Sequence, residues 1–138
     1  MILRVMTVTA AASAAAVLCA TPAGAEGFVG FNSPSANVGC VMDADYVRCD
    51  IAERDWAPPL RPADCEFDYG QGIGLAAGEP AAFVCAGDTT LGRSEVLDYG
   101  QSMTRGDLRC DSAESGITCL DRNTGHGFAI SRQVYQLF

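Results

Sequence analysis

The stretch VGCVMDADYVRCDI, residues 38–51, decides the fold. Folded as a two-stranded hairpin with residues 44–45 at its tip, it forms three facing pairs: Val38 with Ile51, Cys40 with Cys49, and Met42 with Val47. Residues two apart in a strand share a face, so these pairs lie on one side and mostly polar residues on the other. A slip of one residue would expose the apolar side and separate the two sulfurs. The stretch therefore predicts a β-hairpin closed by a disulfide.

The same cysteine spacing returns at Cys110 and Cys119 and predicts a second hairpin with its own bridge. In this register Ser112 faces Ile117, so the apolar side is poorer than in the first hairpin. The second prediction therefore depends mainly on the repeated spacing of eight residues between the two cysteines.

A third bridge is predicted between Cys65 and Cys85, which belong to segments that alternate between apolar and polar residues. Setting them opposite each other creates two more cross-strand pairs, Phe67 with Phe83 and Tyr69 with Ala81. Pairs of this kind stabilise a sheet by about 0.2 to 1 kcal/mol each. The glycine-rich residues 70–80 between the two segments are expected to form a flexible hairpin loop, since no lysine and no helix follow them as a phosphate-binding loop requires.

The first 25 residues have the pattern of a signal peptide. Arg4 gives a positive start, residues 5–20 are apolar, and the Ala-Gly-Ala segment 23–25 has the small residues that signal peptidase requires. Glu26 is then the first residue of the mature protein. A transmembrane anchor is the alternative, but the apolar run is short for a span. Residues 1–25 are therefore predicted to be removed, and no membrane span is expected afterwards.

Removing 25 of the 138 residues leaves 113, which is enough for one domain, and six of the seven cysteines. An even number of cysteines behind a signal peptide indicates three disulfides in an oxidising compartment. We therefore expect residues 26–138 to form a single, monomeric domain that is secreted or periplasmic. Counting alone leaves 15 pairings of six cysteines open.

The mature chain is acidic and contains no lysine. Loss of Arg4 leaves 8 arginines against 17 acidic residues, so the net charge changes from −8 to −9. Nucleic acid is not expected as a partner, because binding to phosphates needs a basic surface. An acidic surface supports solubility and can steer a cationic partner toward the protein.

Short strands and turns account for the rest of the chain. Strands are expected at residues 27–31, 95–99, 126–130 and 133–138, and no segment has the periodicity of a helix. The tetrapeptide Asp-Tyr-Gly-Gln occurs at 68–71 and again at 98–101, which indicates a weak internal duplication in which each Tyr-Gly ends a strand. The predicted fold class is all-β: a small disulfide-braced antiparallel barrel or sandwich, built from hairpins with about eight to ten short strands.

Three prolines within residues 58–62 exclude a helix and predict an extended crossover on the surface. Trp56 precedes them. We expect its ring to pack over the end of the core near Arg54, and the alternative is an exposed recognition residue.

His126 is the only histidine, and it lies between two glycines. A histidine base needs an orienting acid and an activated nucleophile. Asp121, Ser131 and Arg132 are near in sequence, but no serine lies in a recognisable nucleophile elbow. One histidine with oxidised cysteines cannot form a zinc site. We therefore expect no catalytic residue, no metal and no cofactor, and we name His126, Trp56 and Arg132 as candidate binding residues.

Residues 31–40, FNSPSANVGC, resemble the F-x-S-P-S-x-N-x-x-C opening of an uncharacterised family of secreted bacterial proteins with six cysteines. The resemblance continues through residues 47–51, 61–65, 84–89, 116–119 and the Gly-His-Gly-Phe motif at 125–128. It implies secretion and the frame of three disulfides, and it supplies no activity. It also singles out the motif that contains His126.

The sequence is compatible with three functions. The first is an exported, non-enzymatic module that binds an unknown protein or envelope ligand. The second is a secreted inhibitor of a hydrolase such as lysozyme, and the third is a small enzyme that uses His126. A cleft that holds His126 together with a carboxylate would indicate the enzyme, and a protruding loop that fits an enzyme cleft would indicate the inhibitor.

Overall fold

The computed structural model describes residues 9–17 and 27–138. The predicted cleavage segment 23–25 and most of the predicted signal peptide lie outside these ranges, and residues 9–17 are exposed without regular secondary structure. Across both ranges no helix is long and apolar enough to span a membrane. The domain boundary at residue 26 stays a prediction.

The described chain folds into ten β-strands. They are β1 (Val29–Asn32), β2 (Val38–Met42), β3 (Tyr46–Ile51), β4 (Asp68–Ala76), β5 (Ala82–Ala86), β6 (Ser102–Arg105), β7 (Leu108–Ala113), β8 (Gly116–Asp121), β9 (Gly127–Ile130) and β10 (Tyr135–Leu137). Each half of the chain forms its own five-stranded antiparallel sheet, and strands that follow each other in sequence are always neighbours in the sheet. The all-β prediction and its number of strands are confirmed, and the two sheets make the fold a sandwich rather than a barrel.

Both bridged hairpins have the register expected from the sequence. Cys40 lies opposite Cys49 in the β2–β3 pair, and Cys110 lies opposite Cys119 in the β7–β8 pair. Both pairs are joined by disulfides. The apolar residues beside them point to the same side, as the period of two requires.

The core lies between the two sheets, and each sheet contributes one face of it. Its fully buried members are apolar side chains and cystines, namely Phe31, Cys40, Met42, Val47, Cys49, Ile73 and Leu75 from the first sheet and Leu108, Cys110, Ile117, Cys119, Phe128 and Ile130 from the second. The two cystines meet at its centre, where the sulfurs of Cys49 and Cys119 are 3.9 Å apart. The two hairpins that were predicted from the cysteine spacing therefore form the middle of the sandwich.

The prediction of a flexible glycine-rich loop at residues 70–80 is wrong, because most of it forms the strand β4. Ile73 and Leu75 point into the core and are fully buried. Gly72 and Gly74 alternate with them and face outward, where side chains of β3 lie directly over them. A β-carbon on Gly72 would lie 2.6 Å from the Cys49 carbonyl oxygen and even closer to a neighbouring carboxylate. These glycines therefore serve close packing rather than flexibility.

The Cys65–Cys85 disulfide is confirmed, but the predicted register around it is wrong. Tyr69 pairs with Cys85, and Ile73 pairs with Phe83 after a shift in the register between them. Cys65 itself precedes β4 and pairs with no strand. This disulfide therefore does not define a strand register, because Cys65 lies in a loop and only Cys85 lies in a strand.

The repeated tetrapeptide marks two non-equivalent places. Residues 68–71 open β4, whereas residues 98–101 precede β6, so neither copy ends a strand. The predicted strand at 95–99 is reduced to one isolated bridge between Asn32 and Val96. What the copies share is a glycine with positive φ, 80° at Gly70 and 85° at Gly100. The likeness between the halves lies instead in their topology, since each is a five-stranded meander bridged between its second and third strands.

Residues 88–93, here called the strap, cross the outer face of the first sheet on the way to the second. Arg48 donates two hydrogen bonds of 2.8 Å to the buried Asp50 carboxylate. The Thr90 N–H donates to the same carboxylate at 3.1 Å, and the Thr90 hydroxyl donates to the Gly39 carbonyl at 2.6 Å. The strap is thus held by a buried ion pair and by glycines that let its backbone approach the sheet.

Candidate functional site

An open cleft of about 560 Å³ lies at the end of the sandwich where turns from both sheets meet. The first sheet contributes the β1–β2 turn, residues 33–37, and the chain leaving β3 at 52–53. The second sheet contributes the β7–β8 turn and residues 131–133 after β9. Tyr99 completes the lining. A volume of this size lies within the usual range for small-ligand sites.

Hydroxyl hydrogen bonds shape the β1–β2 turn, which forms one wall of the cleft. The Ser33 carbonyl accepts from the Ala36 N–H at 2.9 Å, and the Ser33 hydroxyl accepts from the Val38 N–H at 3.1 Å. The Ser35 hydroxyl accepts from the Asn37 N–H at 3.3 Å. Ala36 has a φ of 61°, which a residue with a side chain adopts at some cost. The two serines therefore fix a strained turn, and their hydroxyls border the cleft.

Asn37 joins this wall to the chain that leaves β3. Its side-chain amide donates to the Glu53 carbonyl at 2.9 Å, and its oxygen accepts from the Glu53 N–H at 2.8 Å. The Asn37 carbonyl also accepts from the Ala52 N–H at 2.9 Å. The nitrogen and the oxygen of the Asn37 side chain are thus both hydrogen-bonded to the Glu53 backbone, and Asn37 fixes the position of Glu53 at the rim of the cleft.

Arg132, predicted as a binding residue, lies in the cleft. One of its terminal nitrogens is 3.2 Å from the Glu53 carboxylate, and its Nε is 3.6 Å from the Asp55 carboxylate. About half of the side chain is exposed. Exposed pairs of this kind contribute less than about 1 kcal/mol to stability. The two carboxylates therefore hold Arg132 only weakly.

Three further polar groups in the cleft make no hydrogen bond within the described part of the chain. They are the Tyr99 hydroxyl, the Glu114 carboxylate and the Gln133 amide. Tyr99 is half exposed, so part of its side chain is accessible to a ligand. With Glu53 and Glu114 set against Arg132, the lining carries an excess of negative charge. The cleft thus presents donors, acceptors and one aromatic side chain, and it disfavours anions.

Trp56, the second predicted binding residue, packs behind the cleft. Its ring lies 4.7 Å from that of Tyr135, which lies 4.9 Å from that of Phe83, and together they fill the gap between β5 and β10. The indole N–H donates to the Ser131 carbonyl at 2.8 Å, and the Arg54 guanidinium lies 4.8 Å from the ring centre. The packing expected for Trp56 is confirmed. Because Ser131 also lines the cleft, Trp56 supports its floor.

His126, the third predicted binding residue, lies at the other end of the sandwich. It occupies the β8–β9 turn, and β9 separates it from Ser131 by roughly 16 Å at about 3.3 Å per residue. Its N–H donates to the Thr124 hydroxyl at 3.2 Å and its carbonyl accepts from the Asp121 N–H at 2.8 Å. His126 does not line the cleft. The structure brings Trp56 and Arg132 together and keeps His126 apart from both.

The nearby Asp121 carboxylate does not serve the histidine. It accepts from the Gly78 N–H at 2.8 Å and from the Asn123 N–H at 2.9 Å. These backbone donors, Gly78 first, hold the pKa of Asp121 below its ordinary value of 3.8. Because Gly78 belongs to the β4–β5 turn, Asp121 ties the two sheets together at this end. Its role is structural.

Sequence reasoning missed most of the cleft. It named Arg132 but not Ser33, Ser35, Tyr99 or Glu114. The available signal was the Ser-Pro-Ser-x-Asn segment of the resemblance, which turned out to form one wall. Tyr99 and Glu114 carried no signal, because only the packing of the second sheet on the first brings them to this end.

Comparison with known proteins identifies a family and nothing finer. No curated protein and no solved structure gives a significant match. A family model matches residues 8–138, and its description is a family of unknown function, DUF6636. With nearly the whole sequence matched, the chain belongs to that family.

Proposed function

We propose that this protein is an exported, non-enzymatic binding module, and that the cleft beside Arg132 is its ligand site. The observation that carries the proposal is the cleft itself. Fixed polar groups from both sheets surround it, and three of its polar side chains lack an internal partner within the described residues. Sites of this build are the usual place for a small ligand.

The ligand that fits best is small, uncharged and rich in hydroxyl groups, such as a short oligosaccharide. The excess of negative charge from Glu53 and Glu114 over Arg132 repels anions. Hydroxyl groups can both donate to the carboxylates and accept from Gln133 and Arg132. The half-exposed side chain of Tyr99 provides an apolar surface for the carbon face of a ring-shaped ligand.

An enzymatic role has less support from the geometry. The cleft contains carboxylates but no histidine, and His126 has no carboxylate aimed at it within the described chain. A histidine that acts as a general base needs its orienting acid and its nucleophile at the same place. The proposal therefore assigns binding to the cleft and leaves His126 in the turn that it helps to close.

The experiment is an NMR titration of the isotopically labelled, oxidised domain with chitotetraose and maltotetraose as probes. Saturable shifts confined to the amides of residues 33–37, 113–116 and 131–133 are expected for at least one probe. Tyr99→Ala and Arg132→Ala should each weaken binding by about 10-fold or more, the effect of losing one or two contacts.

His126→Ala is the matched control, since it alters the other end of the sandwich and should leave the affinity unchanged. Shifts that map away from the cleft, or no shifts with either probe at millimolar concentration, would contradict the proposed site. Loss of binding in the His126→Ala protein would mean that His126 contributes to the ligand site.

A further inference from the structure

Residues 57–64, here called the proline arm, form an irregular segment on the surface of the protein. All but Pro58 are exposed, and the arm has no helix or strand. Within the described chain its backbone makes one hydrogen bond, from the Cys65 N–H to the Pro62 carbonyl at 3.0 Å. Apart from Pro58, the arm is therefore presented to the solvent.

Both ends of the arm are nevertheless fixed. At one end Trp56 is held by its ring contacts and by its 2.8 Å hydrogen bond to Ser131. At the other end Cys65 is joined to Cys85 by a disulfide. Pro58 lies directly over Gly70, where a β-carbon would not fit. With three prolines restricting φ in between, the arm keeps little freedom to lose when it binds.

Leu60 is the most prominent residue of the arm, with 95% of its surface exposed. A single exposed leucine on a protein surface is ordinary. Here it lies near the middle of a segment that is fixed at both ends, and Pro59 and Pro62 favour extended backbone on either side of it. Arg61 follows it and forms no ion pair in the described ranges. The arm therefore displays one apolar side chain in a preset backbone.

We propose that the proline arm is an inhibitory loop that binds the active-site cleft of a serine endopeptidase with an apolar specificity pocket. Such an enzyme reads an extended segment and receives one side chain in a slot, which is hydrophobic in chymotrypsin. Leu60 is the side chain for that slot. Complexes of proteases with their inhibitors are preorganised on both sides, as the fixed arm requires. This surface is separate from the cleft and goes beyond the ligand binding proposed there.

The experiment measures inhibition of chymotrypsin and subtilisin by the oxidised protein, using a small chromogenic substrate. Inhibition that is competitive and saturable is expected. Leu60→Asp should weaken it by about 30-fold or more, the effect of losing a central anchor of an interface. Leu60→Lys should transfer inhibition to trypsin, whose pocket holds a carboxylate.

Val96→Asp is the matched control, because Val96 is a half-exposed apolar residue on the opposite edge of the sandwich. It should inhibit as well as the unaltered protein. Absence of inhibition at micromolar protein, or rapid cleavage after Leu60 with release of active enzyme, would overturn the proposal. Thermal unfolding of each variant confirms that an exposed substitution has left the fold intact.

Discussion

The Sγ atom of Cys49 lies 3.9 Å from the Sγ atom of Cys119, so the disulfides of the two hairpins touch at the centre of the sandwich. One cystine belongs to each sheet, and all four cysteines are completely buried. Each bridge therefore does two things: it fixes the register of its own hairpin and supplies part of the surface on which the other sheet packs.

Removing the Cys40–Cys49 bridge should cost more stability than removing the Cys65–Cys85 bridge. Loop entropy alone gives the opposite order, about 2.6 against about 3.3 kcal/mol for separations of 9 and 20 residues. However, replacing Cys40 and Cys49 by alanine also empties a fully buried site, which adds on the order of 1 to 2 kcal/mol. In the other pair Cys65 is buried but Cys85 is exposed, so the loss of both leaves a smaller cavity.

Urea unfolding of the two double-alanine variants checks this order. The Cys40/Cys49 variant is expected to have the lower free energy of unfolding, with unchanged inhibition by the proline arm. A lower value for the Cys65/Cys85 variant would mean that loop entropy outweighs core packing in this protein.

Gly39→Ala should destabilise the protein by about 1 to 3 kcal/mol, the usual cost of overpacking. A β-carbon at Gly39 would lie 2.5 Å from the Thr90 carbonyl oxygen and 2.8 Å from the Leu91 Cα, both backbone atoms of the strap. Gly87→Ala is the control, since its nearest atom would be a Phe67 ring carbon at 3.4 Å. Equal melting temperatures for the two variants would show that the strap can move away at little cost.

The glycines also explain why the sequence revealed the hairpins but not β4. In the first hairpin the cysteines and the apolar residues have one period, so two independent signals agree on the register. In β4 the residues that alternate with Ile73 and Leu75 are glycines, which resemble a loop when considered alone. They are required by Asp50 and Tyr46, which lie over them from the neighbouring strand. The sequence of β4 alone does not show that side chains of β3 leave room only for glycine at these positions.

Only part of the candidate site could be predicted, because its lining also depends on parts of the chain that are distant in sequence. Arg132 and Trp56 were chosen for their chemistry, and the fold places both of them beside Ser131. His126 was chosen because it is unique, and uniqueness says nothing about position. The cleft depends on which turns of the two sheets end together, and this follows from packing that no short segment encodes.

The stabilising effect of Asp121 should disappear in acid. Its folded pKa is lowered by the Gly78 and Asn123 N–H groups, so its contribution is present above 3.8 and is lost as the pH falls through the folded value. Asp121→Asn should therefore be less stable than the unaltered protein at pH 7, and the difference should shrink as the pH falls below 3.8. Asp45→Asn is the control, because the Asp45 carboxylate makes no hydrogen bond in the described chain. A difference that is constant with pH would assign the effect of Asp121→Asn to shape instead of charge.

Two copies of the tripeptide Arg-Cys-Asp offer an internal comparison of buried and exposed ion pairs. In both copies the cysteine points into the core, so the arginine and the aspartate share the outer face. Arg48 and Asp50 lie under the strap and are almost completely buried, with 2.8 Å between charged atoms. Arg109 and Asp111 are nearly half exposed at 3.0 Å. The chemistry and the spacing are the same, and the burial differs.

Asp50→Ala should therefore cost about 3 to 5 kcal/mol, because it leaves the buried Arg48 without its main partner. Asp111→Ala should cost less than about 1 kcal/mol, as exposed pairs do. Urea unfolding gives both values, and hydrogen exchange adds a local test. The Thr90 N–H donates to Asp50, so its protection should be lost in Asp50→Ala and kept in Asp111→Ala. Similar costs for the two variants, or a Thr90 amide that stays protected without Asp50, would mean that the strap is held by its backbone packing and not by the ion pair.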